Sequence, residues 1–242
     1  MGISLTVVMF AYNEAENIGP VVEDTVSSLE EWLGGDLEDY ELVLVNDGST
    51  DNTAAVMDAL AASNPRIVPK THETNQGIGV AVKTGFAAAT KDYISILPAD
   101  GQVTYTELKK LIPGILDGAD MVVGYYTQRG VIDGGFRLFL SKGLRFVMNM
   151  ALGTQRPMDG VYMFRRSLLE RLPLKSDTFF VNLELPVRAI RENLDVRSVP
   201  VEVHERLSGK SKVVGFGRIM KVGTEVLKFR KNIIMERFEG SD

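Results

Sequence analysis

The chain has 242 residues, 45% of them hydrophobic and 24% charged, with a net charge of −5 at pH 7. That length holds one large domain or two small ones, the composition is that of a folded globular protein, and the acidic balance argues against nucleic acid as a main partner. Cysteine is absent, which removes disulfides, thiolate nucleophiles and cysteine zinc sites together, and two histidines, His72 and His204, are too few for a multi-histidine metal cluster.

No window approaches 18 uncharged apolar residues, so no membrane-spanning helix is expected. The chain does not open on a basic segment followed by an apolar run, so no secretory signal is expected either. These features fit a cytoplasmic location.

The predicted elements alternate. Residues 3–10, "ISLTVVMF", are continuously apolar and β-rich, as a strand buried on both faces should be. A helical pattern follows over 16–33. "ELVLVN" (41–46) is the next strand, and "STDNTAAVMDALAA" the next helix, with Ser49 or Thr50 expected as its N-cap. "RIVPKT" (66–71) reads as a weak strand, and Pro69 suits a sheet edge. Helices are expected over 77–90 and 104–117, and strands over 93–97 and 119–124. Strands separated by helices of this length mean βαβ units and a mostly parallel sheet flanked by helices, an α/β fold. In such sheets ligands sit at the carboxyl ends of the strands. That rule points to residues 12–14, 46–49, 100–102 and 124–126.

The rhythm changes after residue 125. A helix is expected over 136–152, a short strand over 160–164, helices over 166–172 and 181–192, and an alternating strand over 196–204. A last helix spans about 216–235. Repeats, low-complexity tracts and linkers are absent from the sequence, so the second half continues the same domain. The charge is uneven: residues 204–237 carry nine Lys/Arg against three acids, so the acidic chain has a basic end.

Several polar clusters fall where the ligand rule points. In "AYNEAENI" (11–18), Tyr12 can stack on a base, and Asn13 and Glu14 can hydrogen-bond one; the same residues also make a polar turn with a carboxylate near a helix N-terminus. In "VNDGSTD" (45–51), an Asp at a strand end can accept from a base N–H or ribose hydroxyls, or can form an Asp-Gly turn. "NQGIGVAVKTGF" (75–86) is not Gly-x-Gly-x-x-Gly and lies after the third strand, so it reads as close backbone approach and helix entry. "PADGQ" (98–102) supplies two oxygen ligands, Asp100 and Gln102, suited to Mg²⁺ or Mn²⁺ on a diphosphate; it is equally a type I turn pattern. Arg137, Ser141 and Arg145 are four apart and share one helix face; with Arg129 they can grip a phosphate, or they form a plain solvated amphipathic face. "HERLSGKSK" (204–212) gathers Arg206, Lys210 and Lys212 into an anion-binding or plain surface loop.

Taken in order, these segments resemble a family 2 glycosyltransferase of GT-A fold, nearest the dolichol-phosphate mannose synthase branch. "VVMFAYNEAENI", "ELVLVNDGSTDNT", "NQGIGVAVKTGF", "PADGQ", "VVGYYTQR" with "FRLFLSKG", and "ERLSGKSK" follow as in that branch, from about residue 3 to 215. The resemblance implies a single GT-A domain over 1–215. Within it, 1–125 would bind a nucleotide-sugar donor and 126–215 the acceptor; 216–242 would be a basic amphipathic helix and tail.

By the same resemblance, Tyr12, Asn13, Glu14, Asn46, Asp47 and Asp100 would hold the nucleotide. Asp100 and Gln102 would hold Mg²⁺ or Mn²⁺. Arg129, Arg137, Ser141, Arg206 and Lys212 would hold a polyprenyl phosphate acceptor. Three positions depart from the family pattern. Phe10 stands where proline is usual, Asn46 replaces the first Asp of Asp-Asp-Gly, and Pro98 replaces the first metal-site Asp.

The expected chemistry is inverting transfer with Asp100, Arg129 and Arg137 at its centre. A phosphate acceptor needs no base; a hydroxyl acceptor would, and Asp159, then Glu184, are the candidates. A nucleotide-sugar-binding protein without catalysis is the alternative that Pro98 and Asn46 raise. The basic last helix suits peripheral contact with an anionic membrane or packing on the domain.

Overall fold

The computed structural model describes residues 2–127, 160–203, 224–226 and 228–229. Seven strands form one sheet: β1 (Ile3–Ala11), β2 (Leu37–Asn46), β3 (Ile67–Thr71), β4 (Tyr93–Pro98), β5 (Met121–Tyr126), β6 (Tyr162–Arg165) and β7 (Val196–Val201). Their order is β3-β2-β1-β4-β6-β5-β7. All pairings are parallel except those of β6, which runs antiparallel to both β4 and β5. β3 is an edge strand, where a proline leaves no central ladder bond missing.

Between the strands lie α1 (Ala15–Trp32), α2 (Thr53–Ser63), α3 (Ile78–Ala88), α4 (Tyr105–Lys109), α5 (Ile112–Leu116), α6 (Leu168–Arg171) and α7 (Val181–Arg191). They divide between the two faces. Leu5, Val7 and Met9 of β1 and Leu42 and Leu44 of β2 point to one core with Ile18, Val22, Leu29, Met57 and Leu108. Val8, Val43 and Val45 point to the other, with Val82, Phe86, Phe164, Phe180 and Leu185. The apolar run of β1 therefore serves two cores at once, which is why it shows no polar alternation.

The structure differs from the sequence expectations at three places. The predicted 104–117 helix is broken at residues 110–111. Pro113 has no N–H to give the carbonyl of Lys109, so α5 restarts with Pro113 in its first turn. α2 begins at Thr53 with Asn52 as cap; the expected caps, Ser49 and Thr50, are instead hydrogen-bonded to Asn13 in the loop after β1. The strand over 196–204 ends at Val201.

The part of the predicted 216–235 helix that lies among the described residues, 224–226 and 228–229, is helical and packs on the domain. Val226 and Phe229 are buried in the second core, and the Phe229 ring meets Phe180 edge-on at 5.2 Å. The carboxylate of Glu225 accepts from the hydroxyls of Ser176 and Thr178. The apolar side chains described there thus turn toward the protein.

Candidate active site

The strand order reverses direction between β1 and β4: the chain goes from β1 outward to β2 and β3, then returns to β4 on the far side of β1. At such a switch point the loops at the strand ends part and leave a crevice. The registers set Ala11, Asn46, Thr71 and Pro98 along that rim, since Ala11 pairs with Asn46, Asn46 with Thr71, and Phe10 with Pro98. Residues 12–14 and 99–102 follow the ends of the adjacent strands β1 and β4, and Asn46 and Asp47 lie one strand away at the end of β2. Antiparallel β6 begins at this same rim, where the N–H of Gly124 donates to the carbonyl of Val161 at 2.7 Å.

The loops at the ends of β1 and β2 are sewn together. Asn13 adopts a left-handed backbone with φ 54°, a region that Asn enters more readily than most residues. Its N–H donates to Ser49 Oγ at 2.9 Å, and its side-chain oxygen accepts the N–H of Thr50 at 2.8 Å. Next to it, the N–H of Glu14 donates to Thr53 Oγ1 at 2.9 Å and that of Ala15 to Asp51 Oδ2 at 3.2 Å. Glu14 in turn accepts from the side-chain amide of Asn17 at 2.7 Å. Burial pushes the Asp51 carboxyl upward, but the donors at Thr53 and Ala15 outweigh it and hold it below its ordinary value.

The side-chain oxygen of Asn13, a candidate for hydrogen-bonding a base, fastens two loops here. Ser49, Asp51 and Thr53 do comparable fastening, although "STDNT" in the sequence signalled only a helix cap.

Asp47 is a hub. Its carboxylate accepts the N–H of Gln76 and of Gly77, both at 2.9 Å, and faces His72 Nδ1 at 2.9 Å. Its own N–H donates to the Ala11 carbonyl, and its carbonyl accepts from Asn75 Nδ2. One residue thereby ties the ends of β1, β2 and β3 to the entry of α3. Gly48 follows with φ +65°, and a Cβ there would meet the backbone of Thr74 at 2.2 Å, so the tight turn and the close approach both require glycine. Asn46 is buried, and its Oδ1 accepts the N–H of Ser49 at 3.0 Å.

Asp100 and Gln102 follow β4 in a turn with Gly101 at φ 73°. Asp100 Oδ1 accepts the N–H of Gln102 at 3.1 Å, and Val103 is buried just beyond, which anchors the loop. The turn reading and the ligand reading of "PADGQ" are therefore compatible. Among the described residues no group of three or more His, Asp or Glu side chains forms a metal cage. The donor set here suits a hard cation carried mainly by phosphate oxygens and water, with one carboxylate from the protein.

Glu184, the second candidate base, is corrected by its surroundings. It is buried, accepts the backbone N–H groups of Lys175 and Ser176, and pairs with Arg188 at 2.9 Å. A carboxylate so occupied holds a loop and does not collect a proton from a substrate. Arg129, Arg137, Ser141, Asp159, Arg206 and Lys212 lie outside the described residues. No helix among the described residues is long and apolar enough to cross a membrane.

Residues 6–173 match the family described as Glycosyl transferase family 2. Among curated proteins, the chain is 31% identical over 221 residues to the polyprenol monophosphomannose synthase of Mycolicibacterium smegmatis, covering 86% of this chain and 80% of that protein. It is 29% identical over 221 residues to a dolichol-phosphate mannosyltransferase of Pyrococcus furiosus, covering 88% of this chain but only 60% of that one. It is 30% identical over 227 residues to a dolichyl-phosphate beta-glucosyltransferase of Trichomonas vaginalis, covering 87% and 66% of the two.

Among solved structures, glucosyl-3-phosphoglycerate synthase from Mycobacterium tuberculosis with phosphoglyceric acid superposes with a TM-score of 0.71 at 21% identity, covering 95% of this chain and 81% of that one. The same protein with Mn²⁺, UDP-glucose and phosphoglyceric acid gives a TM-score of 0.69 at 22% identity, with 95% and 80% covered. These likenesses show a shared fold. The match over 6–173, with the switch-point rim it encloses, makes the chain a member of glycosyl transferase family 2.

Proposed function

We propose that this protein is an inverting glycosyltransferase that moves a sugar from a GDP- or UDP-linked donor to a polyprenyl or dolichyl phosphate. The observation that carries the reading is the juxtaposition, across the β1/β4 switch point, of the Asp100 turn with residues 12–14. The polyprenol- and dolichol-phosphate relatives at about 30% identity support the acceptor class.

In this reading Tyr12, Glu14, Asn46 and Asp47 receive the nucleoside. Asp100 and Gln102 would hold Mg²⁺ or Mn²⁺, which when bound neutralises charge on the leaving diphosphate. The structural relative that holds Mn²⁺ with UDP-glucose supports the metal and the nucleotide class. The acceptor phosphate is already anionic, so the step needs no general base. Its oxygen attacks the anomeric carbon from the face opposite the diphosphate, the new C–O bond forms as the old one breaks, and the nucleoside diphosphate departs. Arg129, Arg137, Ser141, Arg206 and Lys212 are assigned to the acceptor phosphate. Positioning and charge neutralisation supply the rate enhancement.

A thermal-shift panel of UDP, GDP, UDP-glucose and GDP-mannose, with and without Mn²⁺, tests the donor half. Turnover with and without a polyprenyl phosphate tests the acceptor half. Donor turnover that is indifferent to the lipid phosphate would move the reading to a hydroxyl acceptor; binding without turnover would leave a nucleotide-sugar-binding protein.

A further inference from the structure

We infer that His72 is a positioning residue for the donor nucleoside, acting through Asp47. The inference rests on the nucleotide-sugar reading and adds to it a residue which that reading does not use. His72 lies just past β3, and its N–H extends the strand ladder by donating to the carbonyl of Asn46 at 2.9 Å. Its ring is held at both ends: Nδ1 is 2.9 Å from Asp47 Oδ1, and Nε2 is 2.9 Å from Thr84 Oγ1 on α3. The His72 and Asp47 side chains are 9% and 7% exposed.

The roles of the two ring nitrogens follow from the partners. A carboxylate only accepts, so Nδ1 must carry the proton it donates to Asp47. In the neutral ring Nε2 then accepts, and the Thr84 hydroxyl is its donor. The ring thus links Thr84 on α3 to Asp47 at the end of β2.

Its effect is to fix a carboxylate that has about four acceptor positions. Gln76 and His72 take Oδ1, and Gly77 takes one position on Oδ2. The remaining capacity lies on Oδ2, at the strand-end rim where the donor is proposed to bind. Remove the His72 donor and Oδ1 keeps only Gln76, so the carboxylate can turn about its Cβ–Cγ bond. The backbone of residues 75–77, which has no strand or helix of its own, loosens with it. A binding group must be held to about 0.5 Å to keep its productive geometry, and among the described residues His72 is the side chain whose ring bonds the Asp47 carboxylate.

A purely structural role would cost stability and leave donor recognition alone, so the test separates the two. His72→Leu fills the volume without a donor. His72→Asn places an amide nitrogen near the Nδ1 position. With Mn²⁺ present, His72→Leu is expected to raise the KM for whichever of UDP-glucose or GDP-mannose the wild type uses by about tenfold, the worth of one hydrogen bond to a charged group, with kcat little changed. Amide exchange at Gln76 and Gly77 should quicken in the unliganded protein. His72→Asn should recover most of the KM, and Thr84→Val should have a smaller effect that disappears when added to His72→Leu.

An unchanged KM in His72→Leu, or a KM raised as much in His72→Asn as in His72→Leu, overturns the inference while leaving the donor reading intact. If the wild type binds neither nucleotide nor its sugar conjugate, the donor reading falls and the inference falls with it. Should His72→Leu fail to fold, Thr84→Val decides: a raised KM at unchanged melting temperature supports the chain, and an unchanged KM rejects it.

Discussion

The carboxylate of Asp51, on the loop after β2, accepts the backbone N–H of Ala15 at the head of α1 at 3.2 Å and that of Thr53 at the head of α2 at 3.0 Å. One side chain thus satisfies a donor at the start of two helices, and it spans the gap between the two loops that carry Tyr12, Glu14 and Asn46. Asp51→Ala is expected to destabilise the protein by about 2 kcal/mol, the cost of leaving part-buried donors unpaired to a charged acceptor. Urea unfolding measures it. Asp51→Asn, which keeps an acceptor oxygen, should lose less. Because the loops it joins lie on the rim, the alanine variant should also weaken donor binding.

The opposite end of the sheet has its own carboxylate hub, and it sets an acid limit. Glu41 is buried on β2 and accepts from Thr6 Oγ1 at 2.6 Å, from the N–H of Thr90 at 2.6 Å and from Thr90 Oγ1 at 2.8 Å. Burial pushes its pKa up, but those donors and the nearby Lys91 outweigh it, so the net shift is downward. Asp39, on the same strand, is held down to about 2, first by Lys91 and then by Arg66. A carboxyl whose folded pKa lies below its unfolded one binds fewer protons when folded. Its stabilisation is complete above the ordinary carboxylate range, about pH 4, and is lost as pH falls through the folded value. Unfolding free energy should therefore decline from about pH 4 toward 2. Glu41→Gln should flatten the upper part of that decline, and Asp39→Asn, whose carboxylate is partly exposed, should change it less.

Pro98 stands next to the proposed cation site. It ends β4 in register with Phe10, two residues before Asp100, and in this position it offers no ligand. Pro98→Asp would put a second carboxylate beside Asp100, and it is expected to lower the Mn²⁺ concentration for half-maximal donor turnover by about tenfold, the worth of one added charged ligand of roughly 1.4 kcal/mol. Asp100→Ala should abolish the metal dependence together with turnover, and Asp100→Asn should retain the turn and lose the charge. A metal titration of turnover checks all three. Full activity in Asp100→Ala would remove the metal assignment.

Much of this architecture could be read from residue patterns. The apolar runs of β1, β2, β4 and β5 and the helices between them gave the α/β layering, because each face of a parallel sheet needs a covering helix and the periods are strong. The rim followed from the rule that strand ends carry ligands. What could not be read was the division of labour within the rim. Asn13 and Asp47 carry donors and acceptors suited to a base, yet Asn13 faces Ser49 and Thr50, and most of Asp47 faces His72, Gln76 and Gly77. Those partners lie 25 to 37 residues away in sequence, and no local period reports a contact of that range. The antiparallel direction of β6 was hidden for a related reason: "GVYMF" is a short apolar strand in either direction, and only its pairing with β4 and β5 fixes it.

The described part of the last helix separates two uses of the basic end. Phe229 packs edge-on against Phe180, and the Arg188 guanidinium lies 5.0 Å from the centre of its ring. Glu225 meanwhile holds Ser176 and Thr178, and the backbone of residues 177–178 lies so close to Gly79 that a Cβ there would sit 2.2 Å from a carbonyl carbon. The helix therefore buttresses the segment packed on the entry of α3, next to the residues Asp47 holds. Phe229→Ala should destabilise the protein by about 3 kcal/mol, the usual cost of emptying a buried aromatic site, as measured by urea unfolding. Because that ring faces the domain, the same variant should sediment with anionic phosphatidylserine vesicles as well as the wild type does under conditions where it remains folded. A selective loss of vesicle binding in folded Phe229→Ala would mean that the helix leaves the domain to meet the membrane.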